Sequence, residues 1–435
     1  MEIDGQNQAN VIHAYPQDLA RFVRGHWEEY GDAGGVLPQS ELLEEILSTC
    51  YQASLMREEE RQITFRLVFS EPDVFPATEG PPYGLHRLEF QEPRVFDEQE
   101  LRRLSPAAPA DRSLIGIHLG EGGKLYIWGL VHSGPRWLQR VRGGRDFSPP
   151  LPEVPVVRVT GPGRVVVDQG STLIGKLEGG RLTDDSIDVF ESRWLSEMFA
   201  PIRDELQELH LRDKAKAGKH WANLDLDVTR RIAQHMIRRI ISTARKSGHG
   251  GTLVIVPPRY APDVLADRYV SLKHKFADDQ PRRRYRKLII AIMNTLAEIY
   301  GQGKGEQAAV GWEEYRKSGD GRLSRLDEAI FEMSHLIAGL MAVDGATVMT
   351  QRYEILGFGG EISGNLQEVA SVARALDVEA HNVARYSTEG YGTRHRSAFR
   401  LCNKLHDALA VVISQDSDTR FIRWKNGYVT QWDQL

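Results

Sequence analysis

The chain has 435 residues, and 55 Lys and Arg against 60 Asp and Glu give a formal net charge of −5 at pH 7. This length allows more than one domain, and the charge balance excludes a general attraction to nucleic acid or anionic membranes, so neither is expected as a partner. Two cysteines exclude a disulfide framework, and no leader pattern or apolar run of about 18 residues is present, so we expect a cytoplasmic protein.

The first part of the chain is predicted to be a β-rich α+β domain over residues 1–185. A helix with Ser40 as a plausible cap is followed, from Gln62, by alternation typical of strands, and residues 72–93 are rich in turn formers. Further strands are predicted at residues 113–119, 124–132, 154–160, 164–168 and 171–177.

A glycine-rich stretch in this region has the spacing of a phosphate-binding loop. It runs from Gly170 to Lys176, but Leu177 stands where a Ser or Thr would hold magnesium, and strand patterns flank it on both sides. We therefore interpret it as a turn between strands.

A second domain is predicted over residues 225–435, joined to the first by a charged helical connector over 186–224. An amphipathic helix at 226–246 leads to a buried strand at 252–256, an order typical of an α/β domain. The polar stretch 259–320 is interpreted as an insert. Its basic run, 282–287, is typical of a solvated helix face, and a phosphate or nucleic-acid contact is the alternative.

The rest of the second domain is predicted in the same way. A helix at 325–341 precedes strands at 347–349 and 354–357, and a helix is expected at 365–376. A strand at 408–414 and a hairpin around Asn426-Gly427 close the chain.

Two short motifs carry the chemistry. Residues 392–396, the GTRHR motif, place two arginines and a histidine where a helix is predicted to begin, which is unfavourable unless an anion binds there. Residues 344–346, the DGA motif, place a carboxylate and a glycine just before a strand, where close approach to a ligand is possible. The alternatives are a turn carboxylate for Asp344, surface ion pairs for Arg394 and Arg396, a packed His395 and a simple helix cap at Thr393.

Together the two motifs, in this order, resemble the diadenylate cyclase family (DAC, or DisA_N, domain) over residues 225–435. The flanking stretches 251–255, 411–414 and 425–427 are similar as well. The first domain resembles, in arrangement, the sensor region named DACNV that precedes some of these domains; its ligand is not implied. The resemblance implies an α/β (α+β) class, with a C-terminal mixed sheet of about seven strands surrounded by helices.

The resemblance also implies a reaction. Two ATP molecules condense to cyclic di-AMP and two pyrophosphates with Mg²⁺ or Mn²⁺, and two domains that each hold one ATP face each other in a dimer or higher oligomer. The implied catalytic residues are Asp344, Gly345, Ala346, Arg394, His395 and Arg396. The implied ATP contacts are residues 392–396 with Ser414, and Tyr391 is a stacking candidate.

Two departures from the family pattern concern the metal. Val343 stands where a histidine often precedes the DGA motif, and Gln415-Asp416 replaces an acidic pair, so the expected metal ligands are Asp344 and Asp416. Two other functions stay open: a nucleotide-binding regulatory module without turnover, and an interaction scaffold held together by the helices at 187–246.

Overall fold

The computed structural model describes residues 13–29, 36–81, 84–134, 151–170, 172–183, 187–276, 282–301, 309–364, 366–414 and 418–434. These residues form two compact units, one up to residue 183 and one from residue 187 onward. Each unit combines a sheet with helices, so the α+β class expected from the sequence is confirmed. Within the described part of the chain, no helix combines the length and the apolar character needed to span a membrane.

The first unit has an eight-stranded sheet in its described residues, with the order β10-β9-β8-β7-β3-β5-β6-β4. The β3–β5 pair is parallel and the other pairs in this sheet are antiparallel. Its helices are α1 (Pro16–His26), α2 (Ser40–Ser54) and α3 (Glu98–Leu104). Its strands are β1 (Arg57–Glu58), β2 (Arg61–Gln62), β3 (Phe65–Phe69), β4 (His86–Val95), β5 (Ser113–Leu119), β6 (Leu125–His132), β7 (Pro155–Gly161), β8 (Arg164–Gln169), β9 (Thr172–Glu178) and β10 (Arg181–Thr183). The predicted β-rich character is confirmed.

Two local predictions in this unit have different outcomes. The turn at Gly170, where φ is +56°, joins β8 to β9, and Lys176 pairs with Glu178, so the phosphate-loop spacing does belong to a turn. The turn-rich expectation for 72–93 was wrong over its second half, since β4 begins at His86. Pro93 is tolerated there because β4 is an edge strand whose register shifts between Glu89 and Arg94.

The second unit has a nine-stranded mixed sheet in its described residues, where about seven strands were expected. The order is β12-β14-β13-β11-β17-β18-β19-β15-β16. Its helices are α4 (Arg193–Met198), α5 (Ala200–Lys216), α6 (Leu226–Lys246), α7 (Ala261–Leu265), α8 (Arg284–Tyr300), α9 (Trp312–Lys317), α10 (Gly321–Met341) and α11 (Thr393–Lys404). Its strands are β11 (Gly251–Val256), β12 (Val270–Lys275), β13 (Ala346–Thr350), β14 (Ile355–Ile362), β15 (Ser371–Ala375), β16 (Val383–Ser387), β17 (Leu409–Ile413), β18 (Thr419–Lys425) and β19 (Tyr428–Gln434). Short 3₁₀ helices lie at Trp27–Glu29, Pro72–Val74, Glu121–Gly123, Val189–Glu191 and Pro258–Tyr260.

Helices cover both faces of this second sheet, and the side chains of β11 alternate between the two cores that result. Leu253 and Ile255 belong to a core shared with α6, α8 and α10, whereas Val254 and Val256 belong to a second core shared with α11. Side chains alternate between faces along a strand, so a strand buried on both sides reads as the continuous apolar run seen in the sequence.

Three predicted parts of the second unit can be compared with the structure. The connector pattern forms two helices, α4 and α5, divided at Phe199, and their residues Trp194 and Leu206 lie in the main core of the second unit. The predicted insert contributes α8, whose Ile289 and Ile292 are fully buried. The helix expected at 365–376 was wrong: residue 365 lies outside the described residues, and Ser371–Ala375 forms β15, paired with β16 and β19.

The basic run belongs to the start of α8 and is partly ion-paired. Arg286 pairs with Glu205 on α5, and Arg283 lies 3.3 Å from a carboxylate oxygen of Glu354. The Arg286 side chain is only 15% exposed. The expectation of a solvated helix face was therefore wrong for Arg286, whereas Arg283 is exposed as that expectation requires. The contacts of both arginines join structural elements.

Candidate functional site

The direction of the central strands brings the two sequence motifs to one edge of the sheet. β11 runs parallel to β13, with Thr252 opposite Ala346, and antiparallel to β17, with Gly251 opposite Ile413. The starts of β11 and β13 and the end of β17 therefore share an edge. Neighbouring strands lie about 4.8 Å apart, so the DGA motif, the β11 start and Ser414 are adjacent.

The DGA motif presents one functional group to solvent. Asp344 follows the end of α10 and is exposed, and no described residue pairs with or hydrogen-bonds to its carboxylate. Gly345 has φ of +109°, and a Cβ built there would lie 2.6 Å from the carbonyl carbon of Gly359. Ala346 is buried in β13. Gly345 and Ala346 thus shape the turn, and Asp344 presents its carboxylate to solvent.

The GTRHR motif begins α11, and its two arginines lie in different surroundings. Gly392 precedes the helix with extended backbone and no side-chain cap. The Arg394 guanidinium is half-buried and donates to the carbonyl of His249 at 3.4 Å. Arg396 is exposed. Neither arginine is ion-paired with a carboxylate among the described residues, so the surface ion-pair alternative is not observed there.

Gly250 explains how Arg394 reaches the sheet edge. Its φ is +66°, and a Cβ at this position would lie 2.8 Å from Nη1 of Arg394 and 3.2 Å from the backbone carbon of Ser414. The guanidinium therefore lies directly over the start of β11, beside the end of β17. Sequence analysis did not identify Gly250 as part of the site, because the contact with Arg394 joins residues that are far apart in sequence.

His395 faces away from this edge and packs inside the unit. Its Nε2 accepts a hydrogen bond from Arg420 at 3.1 Å, and its ring lies 5.7 Å from Tyr391 and 6.3 Å from Phe399. Burial, with the neighbouring Arg420, lowers the pKa of His395 to about 4. The imidazole is therefore neutral at pH 7, and the geometry favours the packing alternative over a phosphate contact.

Tyr391 and the final hairpin support this packing. The Tyr391 hydroxyl accepts from the amide of Gln431, and the Arg420 guanidinium lies 5.5 Å from the Tyr391 ring centre. Arg420 donates to Asp433 at 2.9 Å across the hairpin. Sequence analysis missed Arg420 and Asp433, although opposite charges on facing strands of a recognisable hairpin are a usable signal.

Of the two carboxylates expected to hold the metal, the structure describes only Asp344. Asp416 lies outside the described residues, and Ser414 accepts a hydrogen bond at 3.1 Å from the amide of Asp418. No group of three or more His, Cys, Asp or Glu that could hold a metal occurs in the described ranges. Mg²⁺ is commonly held by one or two carboxylates together with substrate phosphates, and the exposed Asp344 fits that pattern.

Comparison with known proteins identifies part of the first unit. Residues 33–132 match the family model described as probable sensor domain DACNV. The first unit therefore contains a sensor-type domain, which agrees with the resemblance seen in the sequence. No match was found among curated proteins. A crystal structure described as a hypothetical membrane spanning protein from Bacillus cereus is 13% identical, with a TM-score of 0.23, over 56% of this chain and 94% of that one.

Proposed function

We propose that this protein is a diadenylate cyclase, which condenses two ATP into cyclic di-AMP and two pyrophosphates in the cytoplasm under the control of its sensor domain. The observation that carries the proposal is that Asp344 and Arg394 lie at the same edge of the sheet, although 49 residues of sequence separate the two. The DACNV match supports the regulatory part, because the matched family model describes a probable sensor domain.

Each half of the reaction transfers an adenylyl group to a hydroxyl. The 3′-oxygen of one nucleotide forms a bond to the α-phosphorus of the other, the α–β bridging P–O bond breaks, and pyrophosphate leaves with that electron pair. Such a transfer needs positioning and charge neutralisation more than covalent help. Asp344 orients the hydroxyl and accepts its proton.

The arginines supply the positive charge. Arg394 and Arg396 donate to phosphate oxygens through their forked guanidinium groups, and the free backbone N–H groups at the start of α11 add further donors. Asp344 would also hold the Mg²⁺ or Mn²⁺ ion. When bound, that ion neutralises phosphate charge.

The reaction requires two bound ATP molecules to face each other, and the sheet edge described above contains one set of these groups. A partner copy of the same edge supplies the second set, so proximity of two protomers is the main catalytic device. The sensor domain then controls activity by permitting or preventing this pairing.

The proposal is tested by incubating the full chain with ATP and either Mg²⁺ or Mn²⁺, with products resolved by chromatography and mass. Asp344→Asn removes the proposed base, and Glu332→Gln, an exposed carboxylate on α10, is the matched control. We expect cyclic di-AMP from wild type and Glu332→Gln, and at least a 100-fold lower rate from Asp344→Asn. ATP binding without product from wild type in either metal would instead favour a regulatory nucleotide-binding module.

A further inference from the structure

A cavity lies within the second unit on the face of the sheet opposite α11. It is enclosed by α4, α5 and α6 and by the side chains that β11, β17 and β18 direct to that face. Its volume is about 460 Å³ with the mouth included. Sites for small molecules are mostly apolar with a few placed polar groups.

The wall of this cavity is largely apolar. Phe190, Phe199 and Phe421 line it together with Leu195, Ile237 and Ile255. Phe199 also stacks on Tyr353, which closes another part of the wall, with ring centres 5.8 Å apart. A ligand that fits this wall must have an apolar body, which excludes a highly charged phosphate chain.

The polar side of the cavity contains Arg203, a half-buried cation without an acidic partner among the described residues. Its Nη1 donates to the carbonyl of Ser196 at 2.6 Å, and the structure places no described carboxylate within ion-pairing distance. Burial lowers the pKa of Arg203. Arg230, which also lines the cavity, is by contrast paired with Asp227 at 2.5 Å. Asp204 and Asp227 act on Arg203 only from beyond ion-pairing distance. Taking a cation out of water without a direct counter-ion is costly, so an anion placed beside Arg203 is favourable.

We propose that this cavity binds a small amphipathic anion, an aromatic or short aliphatic carboxylate. The carboxylate pairs with Arg203, and the apolar body lies against Phe199, Ile237 and Phe421. The site involves none of the DGA or GTRHR residues and lies on the opposite face of the sheet from α11. The inference is therefore independent of the reaction proposed above.

The position of the cavity makes the helices α4 and α5 part of a ligand site. Both helices come from the segment predicted to connect the two domains, and Ile255 of β11 contacts the same cavity. A ligand there stabilises the packing of this segment on the central strands. The same strand, β11, begins at the edge where Arg394 lies.

The test is calorimetric titration of the full chain, without ATP, using 3-phenylpropionate and hexanoate as probes. The neutral amides 3-phenylpropionamide and hexanamide have nearly the same shape and serve as ligand controls. Arg203→Gln removes the charge, and Arg212→Gln, an exposed arginine on the same helix, is the matched control. We expect at least one acid to bind about tenfold or more tightly than its amide, and Arg203→Gln, but not Arg212→Gln, to abolish this preference.

Three results would overturn the inference: no binding of either acid to wild type, equal affinity for acid and amide, or an unchanged preference in Arg203→Gln. The comparison of acid with amide uses wild-type protein only, so it decides the question even if Arg203→Gln does not fold. Binding is measured without nucleotide. Loss of this site and loss of cyclase activity are therefore separate outcomes.

Discussion

Gly345 separates the exposed carboxylate of Asp344 from the buried strand β13. Its φ of +109° is a conformation that residues with a Cβ rarely adopt, and the backbone of Gly359 and Gly360 occupies the space that a Cβ would need. A Cβ at Gly345 would meet backbone atoms of both Gly359 and Gly360, and backbone cannot move aside as a flexible side chain can. The glycine of the DGA motif is thus required by the fold, whatever the ligand.

Gly345→Ala is expected to lower the free energy of unfolding by about 2–4 kcal/mol, since backbone strain and a steric clash add. Gly339→Ala in α10 is the control, because a Cβ there meets nothing within 4 Å. The control should be neutral or stabilising by up to about 1 kcal/mol. Urea denaturation followed by circular dichroism measures both, and equal stabilities of the two variants would contradict this account.

The lowered pKa of His395 predicts how the stability of the protein depends on pH. Its pKa is about 4 in the folded protein and about 6.5 in an unfolded chain, so between these values the unfolded state binds more protons. Stability should therefore fall as pH decreases from about 6.5 to about 4, with a contribution from His395 of about 3 kcal/mol. Urea denaturation at a series of pH values measures this slope.

The matched comparison for this slope uses two substitutions. In His395→Gln the contribution disappears while an acceptor for Arg420 is kept, so its stability should depend less on pH than that of wild type. His220→Gln, at an exposed histidine, should keep the wild-type slope. Parallel curves for wild type and His395→Gln would show that the histidine does not stay neutral when folded.

At the scale of elements, Glu205 joins α5 to two other parts of the second unit. One carboxylate oxygen accepts from Arg286 at the start of α8, and the other accepts from Arg352 at 2.7 Å in the turn between β13 and β14. Glu354 in the same turn lies 3.3 Å from Arg283. These ion pairs hold the predicted connector against the edge of the sheet opposite to Asp344.

Glu205→Gln is expected to lower the free energy of unfolding by about 1–3 kcal/mol, because it leaves two partly buried arginines with a weaker partner. Glu208→Gln on the same helix is the control, since its pair with Arg212 is 67% exposed on both sides. The control should change stability by less than about 1 kcal/mol. Thermal unfolding of both variants measures the difference, and a neutral Glu205→Gln would mean that these pairs do not anchor α5.

At the scale of the whole molecule, the proposed reaction needs two protomers, and this has a measurable consequence. If wild type and Asp344→Asn are mixed in equal amounts and exchange freely, random pairing leaves about a quarter of the pairs fully wild type. Activity at constant total protein should then fall to about a quarter of that of wild type. A fall to about a half would mean that each protomer turns over alone and would contradict face-to-face pairing.

Local sequence pattern determined much of the fold. The apolar run of β11, the alternation in the first unit and the Asn-Gly hairpin each specify one element through nearest neighbours along the chain, and all three are present. The sequence pattern did not predict the strands β15 and β4, because their formation depends on pairing with distant strands. A short segment such as Ser371–Ala375 becomes a strand because its partners β16 and β19 satisfy its backbone hydrogen bonds.

The sequence by itself determined which groups are chemically special: the carboxylate of the DGA motif, the arginines of the GTRHR motif and the glycines beside them. Only the tertiary structure decided where each of these groups lies and what surrounds it. The pairing of Gly251 with Ile413, far apart in sequence, places Arg394 over Gly250, and the packing of α11 turns His395 inward to Arg420 while Arg396 stays exposed. Neighbouring residues in a helix point in different directions, so three adjacent polar residues acquire three different surroundings.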